Sequence, residues 1–134
     1  MKKSKDNASL RVLHIASWYP SKEHGSLGNF IQRHVGAVAK KHESEVWYAA
    51  PVSNENPLLG TSEVIEKDGF IERIAYPKAT KPGARAVTRA LLKMVPGEKI
   101  AMPDLVHLHV AFPAGRAARM LSESWDVPLV ITEH

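Results

Sequence analysis

Residues 10–41 constrain the fold more tightly than any other stretch of this chain. Leu10–Ala16 is an apolar run, Ser17–Leu27 a polar loop of about eleven residues, and Gly28 opens a segment to Lys41 with Phe30, Ile31, Val35, Val38 and Ala39 on one helical stripe. Apolar residues fill both faces of the first run instead of alternating, which is the pattern of a buried parallel strand. Pro20 ends that run by holding Tyr19 out of helical space. A buried strand, a long loop and a helix entered at a glycine bring backbone N–H groups and a positive helix end to the tip of a sheet. α/β sheets offer that arrangement to anionic phosphates.

The remainder continues the alternation. Glu45–Ala50 reads as a second strand stopped by Pro51. Residues 63–75 read as a hairpin turning at Asp68-Gly69, a strong short-range hairpin signal. Ala84–Val95 reads as a second helix, introduced by Pro82-Gly83 and ended by Pro96-Gly97. Asp104–Val110 is another buried strand, Pro113 suits the first position of a third helix reaching Trp125, and Val127–Thr132 is a last strand. This order predicts an α/β fold, a Rossmann-like, mostly parallel twisted sheet with helices on both faces. The parallel core should hold Leu10–Ala16 away from any edge, with the hairpin at one edge.

Composition adds boundaries. The 134 residues suffice for one domain with its own core. There are no cysteines, which excludes structural disulfides, iron–sulfur clusters and thiolate zinc sites. Residues 1–9 are polar and read as a frayed tail, too weakly followed by apolar residues for a secretory signal. No run approaches the ~20 apolar residues of a membrane span, so a cytoplasmic location is expected. The net charge of +4 permits anionic partners without choosing among them. The sequence closes at Thr132-Glu133-His134, at the carboxyl end of a strand where α/β sheets bind ligands. The expectation is a domain incomplete at its C-terminus, with an uncovered apolar strand and a tendency to self-associate.

The loop after the first strand excludes several nucleotide folds. A dinucleotide site needs G-x-G-x-x-G in a tight turn and an acid ending the second strand, whereas Gly25 and Gly28 are spaced differently and that strand ends Tyr48-Ala49-Ala50. The P-loop pattern is absent. Ala16-Ser17 supplies none of the acids of a phosphoacceptor domain.

Other residues invite chemistry. His107 and His109 are two apart on a strand and share one face, with His14 conceivable as a third metal ligand; partly buried histidines without a metal are the expected outcome. His34 lies near the apolar stripe of the first helix and reads as packed, with a position facing the cleft as the alternative. Trp18 and Tyr19 sit at the mouth of the sheet, able either to stack on a sugar or to brace the loop. Lys81, Arg85, Arg89 and Lys93 recur every four residues opposite an apolar side, a shape suited either to an anionic membrane surface or to plain solvation.

Taken together, V-L-H-I-A-S-W-Y-P (residues 12–20), G-N-F-I-Q-R-H (28–34), P-D-L-V-H-L-H-V (103–110) with P-A-G (113–115), and P-L-V-I-T-E-H (128–134) resemble the N-terminal domain of family-4, or group 1, glycosyltransferases. These are two-domain, GT-B-fold, retaining enzymes. The resemblance runs from Leu10 to His134. It implies a nucleotide-sugar donor, a carbohydrate or lipid-linked acceptor and no metal; no cofactor and no nucleic acid are expected, and a lipid-linked acceptor would suit peripheral contact of the basic row with the inner face of a membrane, the alternative to its solvation. The resemblance assigns the donor phosphates to Gly28 and Asn29 and transfer to His134; the acceptor role of Trp18 and Tyr19 rests on their place at the mouth of the sheet, with bracing of the loop as the alternative. The donor's carboxylate and basic partners would lie in a second half, so these residues alone should not catalyse transfer. A stand-alone α/β module binding carbohydrate or an anionic surface without chemistry is the alternative.

Overall fold

The computed structural model describes residues 9–95 and 102–134. Along the chain lie β1 (Arg11–Ala16), α1 (Asn29–Ala39), β2 (Glu43–Ala49), β3 (Ser62–Lys67), β4 (Phe70–Ala75), α2 (Gly83–Lys93), β5 (Leu105–His109), α3 (Gly115–Trp125) and β6 (Leu129–Thr132). They form one six-stranded sheet in the order β3-β4-β2-β1-β5-β6. Every pairing is parallel except that of β3 with β4. β1 lies inside the sheet and the hairpin turning at Asp68-Gly69 forms one edge, as the strand and turn patterns require. Successive strands progress one way from β1 through β2 and the other way through β5, so the sheet reverses direction between β1 and β5. Such a reversal opens a crevice at the carboxyl ends of the two strands.

Alternation along the strands divides the core in two. Leu13, Ile15, Trp47, Val106 and Leu108 point toward α2 and α3 and meet Val87, Leu91, Ala117, Ala118 and Leu121. Ala16, Val46, Tyr48 and Ile74 belong to the other cluster, with Tyr19 and with Ile31 and Val35 of α1. Ile15, Ile31 and Leu91 are completely buried, each contributing roughly 1.5–3 kcal/mol by leaving water. The opposite side of α2 carries Lys81 just upstream, then Arg85, Arg89 and Lys93, all exposed in one row.

Several boundaries differ from the sequence reading. Pro113 does not begin α3. Gly115 N donates to Ala111 O at 2.7 Å and Ala114 N to Ser17 Oγ at 3.0 Å, so a turn pinned to the β1 loop precedes the helix. β2 starts at Glu43, whose carboxylate accepts two bonds from Arg11 at 3.1 Å. α1 ends at Ala39, short of the Lys41 expected from the sequence, and Gly28 caps it in the left-handed region. The tail at residues 1–8 and the Pro96-Gly97 helix stop lie outside the described residues. β6 is the second sheet edge, with Val130 44% and Ile131 52% exposed. Among the described residues no helix is long and apolar enough to cross a membrane.

Candidate functional site

The β1–β5 reversal gathers histidines. Parallel register sets His14 of β1 directly beside His107 of β5. His109, two residues on, shares their face, and His134 follows β6 on the same side. α1 crosses that face and contributes His34, whose ring lies edge-on to His107, His109 and His134 at 4.9–5.7 Å. The ring of Phe30, in the first turn of α1, lies 5.0 Å from that of His134. The start of α1 and the end of β6, 103 residues apart in sequence, thus meet at the carboxyl edge of the sheet.

These imidazoles are joined by hydrogen bonds. His14 Nε2 lies 3.3 Å from Ser44 Oγ, His14 Nδ1 lies 2.9 Å from His109 Nε2, and His109 Nδ1 lies 3.1 Å from His134 Nε2. His107 Nε2 is 2.8 Å from Thr132 Oγ1, and its ring stacks on His109 at 4.1 Å. His14 and His109 are fully buried. Burial, then the His107 and His34 rings, lower the pKa of His14 to about 3. Burial and four neighbouring imidazoles lower His109 to about 2, and burial followed by His34 and His134 lowers His107 to about 4. His34 is lowered too, by burial first and then by His134. His14, His107 and His109 therefore form a neutral polar core at physiological pH.

Nitrogens of His14, His107 and His109 lie within 4.8 Å of one another, as do those of His34, His109 and His134. The third ligand that the sequence left only conceivable is thus present in space, and either triple could hold a borderline-soft cation such as zinc. His34, read as packed against the apolar stripe, faces this cluster.

The loop from Ser17 to Gly28 frames one side of the crevice. Ser17 Oγ donates to Val110 O at 2.6 Å and accepts from Ala114 N at 3.0 Å. Val110 N donates to Thr132 O at 2.8 Å. These bonds hold Val110 at φ 69°, a left-handed conformation that a β-branched residue adopts only under constraint. Strain of this kind collects at functional sites, and it sits here one residue past His109.

Gly28 is buried at φ 70°, and a Cβ there would lie 2.6–2.8 Å from backbone atoms of Trp18 and Tyr19. The glycine allows the loop to pack on itself. Asn29 is exposed, but its N–H is directed at Ser26 O at 3.3 Å. The positive end of α1 remains beside His134 as an electrostatic feature.

Tyr19 is not available as a stacking platform. It is fully buried, its hydroxyl donating to Glu72 Oε2, which also accepts from Gln32 Nε2 at 2.7 Å. Burial, reinforced by that carboxylate, raises the phenol pKa. Tyr19 braces the loop against β4 and α1, while Trp18 is 42% exposed. Tyr19→Phe should cost roughly 1–3 kcal/mol by leaving the buried Glu72 one donor short. Urea unfolding measures it, and a change under 0.5 kcal/mol would mean that the bond carries no weight.

A cavity of about 560 Å³ lies between the hairpin and α2, lined in part by Arg73, Arg89 and Lys93. None of the histidines borders it. The crevice between β1 and β5 is the better candidate, because polar groups, strain and a helix terminus converge there. Ser17, Ser44, Glu72 and Val110 were missed in the sequence. Buried serines, a buried acid and an unusual φ leave no local pattern to read.

Comparison with known proteins gives one partial match. No family model matches the chain, and no solved structure matches it. A protein of Bacillus subtilis (strain 168), "Putative teichuronic acid biosynthesis glycosyltransferase TuaC", is 42% identical over 50 residues. That match covers 37% of this chain and 13% of the relative.

Proposed function

We propose that this chain is the acceptor-side domain of a retaining glycosyltransferase that draws on a nucleotide-sugar donor. The observation that carries the reading is the meeting of His134 with the first turn of α1 at the β1–β5 reversal. A nucleotide-sugar reaction asks for two things at such a point: a positive field for the departing diphosphate, and a group that orients a sugar hydroxyl. The start of α1, at Asn29, supplies the field. The exposed imidazole of His134 supplies the second. The relative's name supports glycosyl transfer in general terms. In this reading the donor rests mainly on a second domain, and the acceptor enters over the exposed Trp18. Its hydroxyl attacks the anomeric carbon on the face from which the diphosphate leaves.

The test is steady-state transfer by the two-domain protein that the reading requires, across a panel of nucleotide sugars. His134→Ala should lower kcat by ~10²–10⁴, as expected for a positioned acid–base group. Unchanged turnover would remove His134 from the reaction. A reading frame lacking a second α/β half after His134 would favour the binding module instead.

A further inference from the structure

Five clustered imidazoles exceed what one orienting group needs, and their hydrogen bonds have a direction. A neutral histidine carries one N–H and one bare nitrogen, so in a file of bonded rings the orientation at one end dictates every other. The inner end is Ser44, whose hydroxyl reaches His42 O at 3.2 Å. With its single proton given to that carbonyl, Ser44 Oγ can only accept from His14 Nε2–H. His14 Nδ1 is then bare and accepts from His109 Nε2–H. His109 Nδ1 is bare in turn and accepts from His134 Nε2–H.

We infer that Ser44, His14 and His109 form a buried hydrogen-bond file that fixes the tautomer of His134, leaving its Nδ1 as a bare acceptor for a hydroxyl of the bound sugar. The inference rests on the transferase reading only for the identity of that hydroxyl. The file itself stands on the strand register and the bond geometry. Ser44, His14 and His109 are positioning residues, because each acts on His134 through the next ring. Stacking of His107 on His109 and the edge of His34 against both His109 and His134 keep the rings from turning. With the file reversed, His134 would present Nδ1–H, a donor in place of an acceptor. A cation held by His14, His107 and His109 is incompatible with the file, because it would take the place of the proton between His14 Nδ1 and His109 Nε2.

The chain labelled with ¹⁵N-histidine tests this directly at pH 7.5. Long-range ¹H–¹⁵N spectra should place the proton on Nε2 of His14, His109 and His134. Couplings across hydrogen bonds should link His109 Nε2 to His14 Nδ1, and His134 Nε2 to His109 Nδ1. Ser44→Ala should raise the Nδ1–H fraction of His134 several-fold, and Ser44→Thr should restore the original tautomer. In the two-domain protein Ser44→Ala should lower kcat about tenfold with KM unchanged, the low end of what partners that orient a histidine contribute. Protons on Nδ1 of His109, absent couplings, or stoichiometric zinc surviving dialysis against a chelator would each overturn the inference. Couplings present while His134→Ala leaves transfer intact would support the file and remove only the transferase reading.

Discussion

Gly28→Ala is expected to destabilise the domain by roughly 2–5 kcal/mol. Two costs combine. A non-glycine residue in the left-handed region costs roughly 1–2 kcal/mol. A methyl group forced against packed atoms adds roughly 1–3 kcal/mol. The atoms met here are the Trp18 carbonyl carbon and oxygen and the Tyr19 nitrogen, at 2.6–2.8 Å, and backbone cannot swing away as a side-chain tip can. Relief would require the loop to lift, pulling Tyr19 from its buried bond to Glu72. Urea titration with a free m-value measures the effect. A loss below 0.5 kcal/mol would show that the loop accommodates a side chain and that the glycine is dispensable to packing. The same geometry means that a substitution at Gly28 is no clean probe of phosphate binding. Asn29, exposed and beside it, is the better position for that experiment.

The second large expectation concerns acid. His14 and His109 are fully buried, and their pKa values fall from 6.5 to about 3 and about 2. Between those values and 6.5 the unfolded chain binds protons that the folded chain refuses. The stability these neutral rings provide is therefore complete above pH 6.5 and is lost progressively as pH falls toward the folded values. Each contributes about 1.4 kcal/mol per pH unit below 6.5, so the pair should remove about 3 kcal/mol between pH 7.5 and 5.5. That is a large share of the 5–15 kcal/mol typical of a domain. Urea midpoints at the two pH values measure it, with His14→Gln/His109→Gln as the comparison in which the dependence should flatten. Equal wild-type midpoints at pH 7.5 and 5.5 would show that the rings are hydrated or charged in the native state.

The frame of the fold was legible because strands buried on both faces announce themselves. Leu10–Ala16 and Asp104–Val110 hold enough apolar residues to exclude an exposed edge, and Asp68-Gly69 permits little besides a tight turn. The site was legible in part. His14, His107, His109 and His134 fall on one side of the sheet by strand alternation, but their mutual contact depends on the β1–β5 register, which no local pattern encodes. His34 lies on the same stripe of α1 as Phe30 and Val38, four residues from each, and hydrophobic periodicity classed it as filling. Glu72 was missed, and Tyr19 was left between stacking and bracing, for a related reason. In Phe70–Ala75 apolar and charged residues share both faces, so nothing local says which face α1 will cover. The docked helix decides that Glu72 is interior, and with it the fate of Tyr19.

The antiparallel hairpin has a bearing on the far side of the molecule. Tyr76 follows β4 and donates its hydroxyl to Glu63 of β3 at 2.7 Å while accepting from Lys22 N at 3.0 Å. Asn56, in the segment leading to the hairpin, donates to Glu23 at 2.6 Å. Both anchor points, Lys22 and Glu23, belong to the loop that delivers the chain to Gly28. The outermost strand pair therefore acts as a mooring for a segment at the crevice several strands away. In evolutionary terms the two are bound as one inheritance unit. A lineage that trims the hairpin should also shorten or rebuild residues 17–28, whereas drift in Glu63 or Asn56 should appear with matching change at Lys22 or Glu23.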